Sequence, residues 1–145
     1  MFLAFLLGCS TLAGVWRGVW VCSDQMFEEA EASEFDVDLE LLAVSKYGFE
    51  GTLTMEGEVM IEDDEGDTNS WTWWSESAVR MEMTEFGGPQ PLKVSWEDGE
   101  CSLTRGSREG TAICDDEYDD MEGWEWTQED AIYVNTGICS GLLER

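Results

Sequence analysis

The chain has 145 residues, one domain's worth, and 43% of it is hydrophobic, so folding can bury roughly two-thirds of its unfolded surface. Against 33 Asp and Glu stand only 7 Lys and Arg, a formal net charge of -26, which leaves nothing to neutralise a phosphate backbone and excludes a nucleic-acid binder. The absence of histidine excludes Ser-His and Cys-His nucleophiles, His-ligated zinc and imidazole proton transfer, while eight tryptophans set the chain apart from a disordered acidic tail.

Met1 to Leu7 is an unbroken apolar run followed by Gly8, Cys9 and Ser10, far short of the ~20 residues that a membrane-spanning helix needs. The string Leu6-Leu7-Gly8-Cys9 resembles the lipobox of bacterial lipoproteins. The resemblance implies that residues 1–8 are an export signal, incomplete at its start because no Lys or Arg precedes the apolar run. It further implies that Cys9 is acylated, that residues 9–13 are the lipid-anchored linker, and that residues 14–145 are a single β domain. Such a protein sits on a membrane of the bacterial cell envelope through its lipid, facing the periplasm or the exterior. Two alternatives stay open: residues 1–8 as a buried strand, and cleavage after Ala13.

Beyond the linker the hydrophobic period is two. Gly14-Val15-Trp16-Arg17-Gly18-Val19-Trp20-Val21-Cys22 reads as a first strand. Residues 24–34 read equally as a helix, with Ser23 as its N-cap, or as an acidic loop. From Phe35, the residues Phe35, Val37, Leu39 and Leu41 alternate with Asp36, Asp38 and Glu40, the pattern of a half-buried strand. Leu53, Met55, Val59 and Ile61 repeat it, with Gly57 on the apolar side. Trp71 and Trp73 share a parity with Val79, Met81 and Met83, which leaves Trp74 facing outward with Thr72 and Glu76. The stretch 87–91 is a turn. Leu92, Val94 and Trp96 alternate again before Asp98-Gly99, a type I′ hairpin signal, and Glu100-Cys101-Ser102-Leu103 resumes the pattern. Shorter runs lie at 111–114, 124–127 and 131–135. Eight or nine antiparallel strands joined by short turns predict an all-β fold, either an up-and-down barrel or a two-sheet sandwich, wet outside and apolar within.

Apart from Cys9 there are four cysteines and no C-x-x-C pair, which points to disulfides rather than zinc. Cys101 and Cys114 flank the Gly106 to Gly110 turn almost symmetrically, which pairs them across a hairpin and leaves Cys22 for Cys139. Four buried free thiols is the competing reading.

Three blocks hold 24 of the 33 carboxylates: residues 24–40, 56–67 and 115–130. Oxygen-rich loops suit calcium, and the best candidates are Asp63, Asp64, Glu65 and Asp67. They form no EF-hand, because placing Gly66 sixth would put Ile61 first and Thr72 twelfth. The plainer reading is a solvated, salt-adapted surface. No cofactor other than calcium is suggested.

Three functions fit. Gly14-Val15-Trp16, repeated at Gly18-Val19-Trp20, resembles the Gly-x-Trp of lipocalins, eight-stranded barrels that hold small apolar ligands. That resemblance implies a late arginine, here Arg145, packed on Trp16. Trp16, Trp20, Trp71 and Trp73 are the candidate ligand-binding residues, and the competing reading is that such side chains simply fill the barrel. The acidity and architecture are similar in outline to periplasmic inhibitors of C-type lysozyme, which implies a basic protein partner. A carboxylate-dependent glycoside hydrolase is the third and least favoured. The reading adopted is a lipid-anchored, non-catalytic binding or envelope-structural module.

Overall fold

A computed structural model describes residues 12–23, 33–85, 89–114, 117–128 and 131–145. Nine strands follow in chain order: β1 (Gly14–Cys22), β2 (Ser33–Ala43), β3 (Gly48–Glu62), β4 (Thr68–Met83), β5 (Gln90–Arg105), β6 (Arg108–Glu109), β7 (Glu117–Gln128), β8 (Ala131–Asn135) and β9 (Cys139–Glu144). Every pairing is antiparallel, and β9 returns to pair with β1, so eight strands close into an up-and-down barrel rather than a sandwich. The short β6 lies outside that ring, folded against the end of β5.

Closure follows from the alternation. On β2 the residues Phe35, Val37, Leu39 and Leu41 are buried while Glu34, Asp36, Asp38 and Glu40 are exposed. A sheet with one apolar face must cover it, and curling on itself does so without leaving an unpaired edge. The paired residues run from Trp73 through Gly57, Phe35, Trp20, Gly141, Val134, Trp124 and Leu92, and meet β4 again at Met83, ten residues beyond Trp73. That stagger tilts the strands by roughly 40° to the barrel axis, and eight strands enclose only enough room for side chains. Trp16, Trp20, Trp124 and Trp126 are all fully buried in it. Trp20 meets Trp124 edge to face at 5.4 Å between ring centroids. Its ring also lies against Gly141 on β9, where an added Cβ would come within 2.5 Å of Trp20 Cδ1.

Four expectations need correction. Asp98-Gly99 does not turn the chain: β5 runs straight through it, paired with β4 on both sides. Glu76 opposes Glu100 and Ser77 opposes Asp98, so Gly99 is the extra residue of a β-bulge. The Asp98 carboxylate accepts from Trp96 Nε1 at 2.7 Å and Ser77 Oγ at 3.1 Å, which holds it on the strand. Residues 111–114 form no strand, and β7 begins well before Trp124, within the acidic block at Glu117. Ser33 and Glu34 open β2, so no helix reaches them. Residues 24–32 and 86–88 lie outside the described part of the chain, as does Cys9.

Candidate functional site

The two ends of the barrel differ. At the end where β1 begins, Leu12 and Trp16 are wholly buried, and Trp16 Nε1 donates to the Leu12 carbonyl at 2.8 Å. The guanidinium carbon of Arg145 stands 4.3 Å above the centroid of the Trp16 ring. Arg145 also donates from Nη1 to the Ala13 carbonyl at 2.9 Å. The last residue of the chain thus holds its first described turn against the barrel floor.

At the opposite end β3, β4 and β5 project beyond their neighbours, and a cleft of about 320 Å³ opens there. Its floor is apolar because Ile61, Trp71 and Leu103 keep the inward parity of the core beneath them. Gly110 closes one side. A Cβ there would sit 3.0 Å from Leu103 Cδ2 and 3.2 Å from Trp71 Cζ3, so any side chain at this position would press on the indole and the leucine. The Gly110 amide donates to the Leu103 carbonyl at 2.7 Å. The Cys101–Cys114 disulfide then ties residues 110–114 back to β5. The second disulfide, Cys22–Cys139, joins residues directly opposite on β1 and β9 at this same end.

The rim is charged. Asp63 opens the tight connection from β3 to β4, and its Oδ1 accepts the amides of Glu65 and Asp67, each at 2.9 Å. Its Oδ2 accepts Asn69 Nδ2 at 3.2 Å. The Asp67 amide above all, then the Glu65 amide, Asn69 and the charge of Arg105, hold the Asp63 carboxyl below the usual aspartate value of 3.8, against the opposing effect of desolvation. Both oxygens therefore serve the turn. Asp64 also lines the cleft, whereas Glu65 and Asp67 are exposed beside it. Among the described residues no three carboxylate or thiolate groups converge in a way that would hold a metal ion.

Across the cleft from that turn stand Arg105 and Arg108. They oppose each other directly across the Gly106-Ser107 turn. Among the described residues neither makes an ion pair, although two other arginines do: Arg17 with Asp38 at 3.0 Å and Arg80 with Glu50 at 3.1 Å. Like charges placed directly opposite on paired strands repel.

Of the four tryptophans singled out from the sequence, Trp71 alone lines this cleft. Trp16 and Trp20 are buried core, and Trp73 is nearly so. Sequence reading marked the cysteines but drew the turn from Gly106 to Gly110, whereas the chain turns at Gly106-Ser107 and Arg108–Glu109 form β6; it also missed Arg105, Arg108 and Gly110 as site residues. The signal was available, since two arginines flanking a two-residue Gly-Ser turn must face each other. Two larger depressions, of about 370 and 530 Å³, run along the outer wall, bordered by carboxylates such as Glu50, Glu97, Glu56 and Glu58. Comparison with known protein families, with curated proteins and with solved structures finds no match to this chain.

Proposed function

We propose that this protein is a non-catalytic binding module of the bacterial cell envelope, carried on a membrane by a lipid at Cys9, with its ligand seated in the Trp71 cleft. The observation that carries the binding part is the contrast between ends. One end is plugged by Trp16 under Arg145, while the other offers an apolar floor and a polar rim. The mouth of a β-barrel is a recurrent place for a ligand site. Two features support the anchored, exported reading. Disulfides belong to oxidising compartments. The outer face of β1, the strand that follows the linker, carries Val15, Val19 and Val21 beside Leu142 and Tyr133, all exposed and with no carboxylate on that strand.

Two measurements test this. Intact mass of membrane-extracted protein should show acylation at Cys9 and four oxidised thiols; an unmodified chain recovered from the cytosol defeats the anchor. Amide spectra recorded against a library of small sugars and aryl compounds should move Ile61, Asn69, Gly110 and Thr111 together. Shifts scattered over the outer wall, or none, defeat the cleft.

A second reading, an inhibitor that grips a basic enzyme such as lysozyme, draws on the outer wall. There Glu34, Asp36, Asp38 and Glu40 are exposed in a row, with Glu56 directly opposite Asp36. It requires salt-sensitive association with a basic protein, abolished when that row is neutralised.

A further inference from the structure

The proposed function assigns a cleft without a ligand class, and the arginine pair supplies one. Arg105 and Arg108 face each other across the Gly106-Ser107 turn, and neither is ion-paired among the described residues, although the charge of Arg105 reaches Asp63 across the cleft. The arrangement costs local stability, and departures of this kind from local rules concentrate at functional sites. A fork of guanidinium donors matches the oxygens of a carboxylate or phosphate. Directly inside the pair lie Trp71 and Leu103, which offer an apolar and aromatic surface with no charge of its own.

We infer that the cleft binds a small organic anion: a carboxylate or phosphate monoester received by Arg105 and Arg108, whose ring or apolar part rests on Trp71 and Leu103. This rests on the Trp71 cleft being the binding site. The objection is the net charge of -26. At physiological salt the Debye length is about 8 Å, so distant carboxylates are screened and the near ones decide. Two carboxylates line the cleft: Asp63, whose two oxygens face the donors of its own turn, and Asp64. Among the residues that line the cleft, two cations thus face one carboxylate not engaged by its own turn, Asp64.

The test uses the full chain at constant ionic strength and follows the indole N–H of Trp71 and the Nε–H of Arg105 and Arg108 by nitrogen-15 correlation spectra. Four probes are titrated: phenyl phosphate, benzoate, phenol and inorganic phosphate. Phenyl phosphate or benzoate should saturate at least tenfold more tightly than phenol and than inorganic phosphate, and whichever of the two wins identifies the anionic group. The double variant R105Q/R108Q should lose that preference. Both side chains are exposed, so the variant folds, which its unchanged Trp20 and Trp124 signals verify. If phenol binds as tightly as the anions and the variant behaves as wild type, the anion inference fails while the cleft stands. Should inorganic phosphate bind as well as phenyl phosphate without moving Trp71, the aromatic floor is no part of the site and the inference again fails. If no probe moves any of the three signals, both the inference and the cleft are overturned.

Discussion

At the scale of single residues, two contacts make opposite use of charge. Arg145 joins a cation over an indole to a hydrogen bond with the Ala13 carbonyl. Exposed cation–π contacts contribute ~0.5–1 kcal/mol and a hydrogen bond a similar amount. R145A should therefore lower stability by about 1–2 kcal/mol in urea titrations, and R145K should recover only part of it because a point charge replaces a flat one. An unchanged midpoint would mean that Trp16 is held by Leu12 alone. Asp63 works in the other direction, as an anion gathering donors. Its pKa is lowered in the fold, so its contribution is complete above the ordinary value of 3.8 and disappears as pH falls through the folded value. A carbon-13 titration should place the Asp63 midpoint below 3.8. In D63A the amides of Glu65 and Asp67 should exchange faster while the barrel strands keep their protection. A midpoint at or above the ordinary value would show that the turn is open in solution.

Among the elements, the disulfides act on different parts of the barrel. Cys22–Cys139 spans a sequence separation of 117 and sews the seam where the last strand meets the first. Cys101–Cys114 spans 13 and holds residues 110–114 against Trp71 and β5. Chain entropy predicts a loss of ~4–5 kcal/mol for the long bridge and ~3 kcal/mol for the short one. C22S/C139S should thus unfold at lower urea than C101S/C114S, whereas the short-bridge variant alone should disturb the Trp71 signals. A reversed order would mean that the seam is held by its ladder, not by sulfur. These elements also show what the sequence made legible. Strands β1 to β4 are visible because buried and exposed residues alternate along them, most regularly on β2, where every outward residue from Glu34 to Glu40 is acidic. Asp98-Gly99 misleads because a hairpin and a bulge share the same local signature, and only the partner strand, with Glu76 and Ser77 still in register, separates them. The start of β7 hides in an acidic run because little of Glu117 to Glu122 alternates with apolar residues. Trp71 is recognisable as aromatic and inward, but nothing local tells it from Trp73. The difference lies in how far β3, β4 and β5 outrun their neighbours, which is a property of the closed barrel.

For the whole molecule the dominant question is how a shell with a net charge of -26 stays folded. Its described acids lie almost entirely on the outside of the barrel, which spreads charge over a wide surface, yet strands such as β2 still align carboxylates on one face. Only two ion pairs offset this among the described residues, both exposed, and such pairs contribute little. Added salt weakens those attractions and the far more numerous repulsions together, so the repulsions decide the sign. The Debye length shrinks from about 30 Å at 0.01 M to about 8 Å at 0.15 M, from longer than the separations between strands to comparable with them. The melting temperature should climb most steeply across that interval and then level off. Calcium chloride at matched ionic strength should reproduce the sodium chloride curve without a saturable step, because the Asp63 oxygens are engaged by their own turn and no metal-holding cluster forms among the described residues. A saturable calcium step would show that acids outside those residues complete a site. A curve flat in both salts would show that the unfolded chain carries its repulsion just as closely, and that charge is then no determinant of this fold's stability.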